Sequence, residues 1–430
     1  MHPPVRRTVV ILKFCSGGIL LFCLTLAAFA QEQKIVVLNH ADTLLGRVIN
    51  GEDARELIGN VSLQQGRVTI MCDRVLEYQE RGEYHLSGHV VVRDSNTIMI
   101  MPRGVYRRAE RSAEALDSVS LDDGTTNVKA AYGRYFVDSR EGFFRGDVRV
   151  TDTTSVITCD SLHYNRATRK SVATGHVKAV SESDHVTIFG GMLGHDQATG
   201  FSRVTREPMF IQVDTAGGGT PDTLVVRSRV MESYRDSTHR FVAIDSVRLA
   251  GRDIAGRAGF VEFFSRGDSM MLHSQPVIWY ERTQVAGDSM RIYLVHRKLQ
   301  RVLVTGTAVA VSESDSLHPG VYDQMIGDSM DMVFAHQALR TIQVDIHAIS
   351  VYHLYDDTTA NGVNKTSGDR IVMVFGEAKL HSIKVVGGVE GQYFPENLVR
   401  GHDDTYTLPG ALWRRDRPVQ KYTAEGITID

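Results

Sequence analysis

One pattern returns at a fixed spacing across residues 59–180, and few folds tolerate it. Val61, Val90, Val119, Val148 and Val177 stand 29 residues apart without a slip. Two positions after each comes Leu63, Val92, Leu121, Val150 or Ala179, again apolar, with Ser62, Val91, Ser120, Arg149 or Lys178 between them. A second series keeps the same register: Ile70, Met99, Val128 and Ile157, followed two residues on by Cys72, Met101, Ala130 and Cys159. Alternation with a period of two marks a strand with one buried and one wet face. A fixed repeat of 20 to 50 residues marks stacked units that cannot bury their apolar face alone. Together they predict an all-β chain, an elongated β-jellyroll or β-solenoid. An ordinary β-sandwich with evenly spaced strands is the competing architecture, but sandwiches seldom hold one spacing.

Before each Val of the first series lies a turn-forming pair: Gly59-Asn60, Gly88-His89, Asp117-Ser118, Gly146-Asp147 or Gly175-His176. Loops such as Asp94-Ser95-Asn96, Asp122-Asp123-Gly124 and Thr151-Asp152-Thr153-Thr154 have hairpin chemistry. Helical periodicity is nearly absent, although residues 108–115 fit one short turn.

The register slips after Val180. A joint is expected at residues 214–221, where Gly217-Gly218-Gly219 and Pro221 form the most loop-like stretch. The chain therefore divides into a leader (1–30), a 29-residue-repeat region (31–213), a linker (214–221), a second region with units nearer 40 residues (222–395) and an irregular tail (396–430).

Composition narrows the function. Arg6, Arg7 and Lys13 flank an apolar run ending in Ala28-Phe29-Ala30, the form of a secretory signal cleaved after Ala30, with a retained anchor as the alternative. Phe22 before Cys23 does not suit a lipidated cysteine. Of 48 basic residues three lie in the leader, leaving 45 against 51 acidic and a net charge near −6. No basic stripe for nucleic acid emerges from the linear sequence. Cys72 and Cys159 hold the same inward position three intervals apart, about 14 Å or more, too far for a disulfide, so both are expected as free core thiols.

Chemistry-bearing motifs are scarce. Gly-Asp-Ser-Met recurs at 267–270, 287–290 and 327–330, with Ser367-Gly368-Asp369-Arg370 as a looser copy. The tetrapeptide invites comparison with GDSL-type serine esterases. A nucleophile needs one strained turn and one base, whereas repeated copies fit a bend leading Met into the next core strand. No catalytic residue, cofactor or metal is assigned. His402-Asp403-Asp404 is the one cluster with ligand chemistry, and neighbouring polar residues in a tail are ordinarily solvated. Tyr106, Tyr135 and Tyr164, also 29 apart, form a ladder read as packing.

The series Leu86-Ser87-Gly88-His89-Val90-Val91-Val92 and Ala173-Thr174-Gly175-His176-Val177-Lys178-Ala179, alternating with Ile70-Met71-Cys72-Asp73 and Ile157-Thr158-Cys159-Asp160, resembles the OstA/LptA family of lipopolysaccharide transport proteins. The likeness is clearest over residues 34–213. It implies a β-jellyroll whose apolar interior accepts lipid acyl chains, a periplasmic place with outer-membrane association, and end-to-end β-strand addition to other Lpt-type transport proteins or to a second copy. The inward candidates are then Val61, Leu63, Ile70, Val90, Val92, Met99, Val119, Leu121 and Val128. Val148, Val150, Ile157 and Val177 continue the series. The large outer-membrane barrel of some members has no room here. A closed structural or adhesive solenoid places the same residues identically and stays open as the alternative, as does a β-helix carbohydrate-active enzyme.

Overall fold

The computed structural model describes residues 35–429 apart from 184, 215–221, 236, 238, 265–267, 296–297, 315–319, 337, 357–358, 377–378, 420–421 and 425–426. The signal segment with its cleavage point, and all of the expected linker but Asp214, lie outside the described residues. The chain is all-β: each strand ladder is antiparallel and most strands pair with their sequence neighbours. The described residues form two compact units, divided between Arg140 and Glu141. The division falls inside the 29-residue register, so Val61, Val90 and Val119 belong to the first unit and Val148 and Val177 to the second.

The Gly-x pairs are not reversals between strands. They sit inside single long strands, such as Glu83–Asp94 and Lys170–Ser181, and bend them. Pairing between Glu83–Asp94 and Thr97–Arg107 skips at Ser87/Val90, leaving Gly88 and His89 as a two-residue bulge with φ of 75° and 45°. Each long strand thus has two arms, and each arm pairs with the matching arm of its neighbour. Two walls grow side by side, with strands crossing between them at bulged corners as in a β-jellyroll. Where the repeat carries Asp117-Ser118 instead, no glycine supplies a left-handed residue. The strand there breaks into Ser112–Ala115 and Val119–Asp122, one for each wall.

The sequence-predicted helical turn over 108–115 is replaced by that first piece. Ala113 and Ala115 are fully buried between Thr97–Arg107 and Tyr132–Phe136, and tertiary pairing overrides local propensity.

The inner faces carry continuous apolar ladders. In the first unit one wall runs Leu57, Val75, Leu86, Gly104, Ala115 and the other Leu63, Ile70, Val92, Met99, Leu121, Val128. In the second unit Phe144, Leu162, Ala173, Leu193, Val204 and Met231 begin a ladder that stays buried through to Ile371. Each buried Val, Leu, Ile, Met or Phe of these ladders contributes about 1.5–3 kcal/mol.

The tail is not a loose end. Residues 396–419 hold the helix Glu396–Val399, the 3-10 turn Asp403–Tyr406 and then irregular backbone, and they lie across the outer face of a second-unit wall. Val399, Leu408 and Ala411 pack on Val309, Val311, Val351 and Val363, and Trp413 packs with Trp279 and stacks on Tyr322. Two buried amides pin this strap. Gln324 Oε1 accepts the Leu408 N–H at 2.7 Å, and Gln284 accepts from Arg414 N–H and donates to Leu412 O.

Candidate functional site

The corners recur with one chemical partner. A Cβ placed on Gly88 would stand 2.2 Å from Asp73 Oδ2, and one on Gly175 would stand 2.1 Å from Asp160 Oδ2. Each carboxylate occupies the space that a side chain at the corner would need. The next residue then adds a hydrogen bond: His89 Nδ1 and His176 Nδ1 each lie 2.8 Å from the same oxygen. Asp42 beneath Gly59, Asp288 beneath Gly306 and Asp369 beneath Gly387 repeat the arrangement. The exposed histidines of the repeat are therefore corner clasps. A signal for them was present, since Asp precedes Gly by 15 residues at 73/88 and 160/175 and by 18 at 288/306 and 369/387.

The same clasp corrects the reading of Gly-Asp-Ser-Met. Gly287 and Gly327 do not have positive φ and make no bend. Each is small because a Cβ would meet Val304 Cγ1 or Val344 Cγ1 at 2.3 Å on the facing strand. The bends lie on that facing strand, at Gly306-Thr307 and Ile346-His347. Asp288 and Asp328 are the clasp acids, with Asp328 3.2 Å from His347 Nδ1. Ser289 shares a hydrogen bond with Thr305 Oγ1 at 2.7 Å. Met290 and Met330 enter the buried ladder as expected, and Gly267 of the remaining copy lies outside the described residues.

The inward candidates separate by exposure. Val61, Leu63, Ile70, Val90, Val92, Met99, Val119, Leu121 and Val128 are all 4 % exposed or less, so the first unit's interior is filled by its own side chains. One end of that interior is closed by polar groups. Tyr106 Oη donates to Gln65 at 2.6 Å, and buried Asp94 is held by Arg67 at 2.6 Å and Tyr135 at 3.4 Å. Burial pushes the Tyr106 hydroxyl up to about 12.

In the second unit Val148 and Val177 are equally buried, but the adjoining ladder is not. Val150 pairs with Ile157, Ile157 with Ala179, and Ala179 with Ile188. All four are half-buried on the inner face, and the same ladder closes only further on, from Phe210 and Val226 to Leu249 and Ile278. Opposite faces follow from the alternation: Arg149, Thr158, Lys178 and Phe189 are the outward neighbours. This stretch is a seam where an apolar inner face is left partly uncovered, the kind of surface that takes an apolar ligand.

Cys72 and Cys159 are free and buried, and burial raises each thiol to about 11. A thiol needs its thiolate to react. In native protein beginning at Gln31, both are expected to resist a disulfide reagent at pH 8, whereas unreduced denatured protein should take up two equivalents. Uptake of none after denaturation would reveal a crosslink and reverse the assignment. Among the described residues no group of three or more His, Cys, Asp or Glu is placed to hold a metal ion.

Residues 32–106 and 81–196 match a family model described as OstA-like protein, which covers less than half of the chain. No curated protein matches. Among solved structures, the chain is similar to LptH of Pseudomonas aeruginosa, titled the LptA homologous periplasmic component of the conserved lipopolysaccharide transport device. The identity is 12 %, the match covers 34 % of this chain and 96 % of that one, and the TM-score is 0.27.

Proposed function

We propose, from the premise that residues 32–196 are OstA-like, that this protein is a periplasmic carrier or bridge for lipopolysaccharide rather than an enzyme. The acyl chains of lipid A sit along the second unit's inner face. The observation that carries the reading is the half-buried ladder Val150, Ile157, Ala179 and Ile188 inside an otherwise filled jellyroll. An acyl chain there replaces water on apolar surface, at about 0.8 kcal/mol per buried CH2. Val148 and Val177 floor the seam. The filled first unit, with Val61 to Val128 closed, favours a structural and docking role for that part, which is the surviving form of the closed-solenoid alternative.

Both ends support bridging. Val37–His40 and Thr43–Ile49 each pair only with Glu52–Gln65 among the described residues, and Val37, Leu44 and Val48 are 52–70 % exposed. Among the described residues, Lys379–Val386 and Glu390–Pro395 pair only with Thr359–Gly376. Open edges with exposed apolar side chains suit strand addition by an Lpt-type partner or a second copy.

A photo-crosslinking residue at 150 is expected to capture lipid A in cells, and one at 143, exposed on the outward face of the other arm of the same strand, is not. No adduct at 150 in a folded protein would end the carriage reading and leave a structural solenoid.

A further inference from the structure

The outer face of the second unit carries a row that chain order conceals. Following cross-strand partners from Arg149 leads through Thr158 to Lys178, then to Phe189 and Met209. The row continues into Arg227, Arg248 and Arg257. Five of these eight positions are cationic and none is acidic. The neighbouring outer row, which includes Val156, Val180, Ile211 and Val225, has no charged residue.

Arg227 faces Arg248 and Arg248 faces Arg257 directly across adjacent strands. Partners so placed have Cβ atoms about 5 Å apart, and like charges there repel. The strap adds to the concentration of charge. Gln284 holds the Arg414 backbone, and the Arg414 and Arg248 charges, after burial itself, pull Arg257 below the ordinary guanidinium range. Asp416 of the strap pairs with Arg257. A sheet that sets three arginines side by side at some cost in repulsion is arranged for an anion with several acceptor oxygens, and guanidinium groups match phosphate in a bidentate manner.

We propose that this row is a docking surface for the phosphate groups of an anionic lipid surface. The inference builds on the carriage reading but concerns the opposite face of the same wall. Two features favour lipid over a fully hydrated polyanion. Phe189 and Met209 interrupt the cations as half-buried apolar side chains, with Lys178 5.7 Å over the Phe189 ring. The uncharged row beside them presents half-buried Val156 and Val180. Cations beside apolar groups suit the boundary between phosphate and acyl layers. At about 4.8 Å per strand the row runs for roughly 30 Å, enough to engage several headgroups.

The test is co-sedimentation of the mature protein with vesicles of phosphatidylcholine alone or with about one-third phosphatidylglycerol. Binding is expected only to the anionic vesicles and should weaken with added salt. Arg227→Gln with Arg248→Gln should lower partitioning roughly 25-fold, since each juxtamembrane cation is worth about a factor of five. Arg166→Gln with Arg169→Gln removes the same charge from an exposed loop and should bind like the native protein. Millimolar inorganic phosphate at constant ionic strength should leave vesicle binding intact; full release by it would assign the cluster to free phosphate instead. Equal losses in the two double variants, or no binding to anionic vesicles, would overturn the proposal. Lipid capture at position 150 is independent of this result, so failure of the row and failure of the seam are distinguishable.

Discussion

A carboxylate at position 157 is expected to remove lipid capture while leaving the protein folded. Ile157 is half-buried on the inner face and pairs with Val150 and Ala179, so Ile157→Asp keeps its own access to water in the lipid-free protein. Its cost to stability should therefore be small, about 1 kcal/mol. Once an acyl chain covers the site, the same carboxylate loses water without gaining a partner. A penalty of about 3 kcal/mol then lowers affinity roughly 100-fold. Val119→Asp supplies the contrast. Val119 is 4 % exposed in a filled interior, and a charge there should destabilise the first unit by about 4 kcal/mol whether or not lipid is present. Circular dichroism under urea together with lipid A binding separates the two. Undiminished binding by folded Ile157→Asp would remove the seam from the mechanism.

The second large effect is expected at a corner. Gly175→Ala forces a Cβ onto a residue with φ of 75° and into the Asp160 carboxylate, and should cost about 3 kcal/mol. Two causes are combined in that figure, and they can be pulled apart. Asp160→Ala alone removes the His176 hydrogen bond, for about 1 kcal/mol. In the double variant the collision is gone and only the backbone strain remains, so the losses should fall short of additive by 1 kcal/mol or more. Gly124→Ala is the control for strain without collision, because φ is 90° and a Cβ there meets nothing within 4 Å. Strict additivity of Gly175→Ala and Asp160→Ala in urea midpoints would show that the clasp is not a steric unit.

The inward and outward identity of nearly every residue in the repeats was legible in the linear sequence. A strand's alternation is a local property: once one face is buried, its side chains can take only one register, and the 29-residue spacing reports that choice five times. For the same reason Cys72, Cys159, Met290 and Met330 were placed inward correctly. How much of an inward face remains open is not local. Val128 and Val150 read alike in sequence, yet Val128 is sealed and Val150 is half-covered, because exposure depends on what the facing wall supplies. The Gly-x pairs were visible, but their role was not. A bend inside a strand and a turn between strands use the same residues, and only the partner's register tells them apart. The tail looked aperiodic because an irregular strap needs no period; its place is set by Gln284, Gln324 and an apolar outer wall. The arginine row lay furthest from view. Arg227, Arg248 and Arg257 become neighbours only when three strands align, and cross-strand proximity is decided by the tertiary fold.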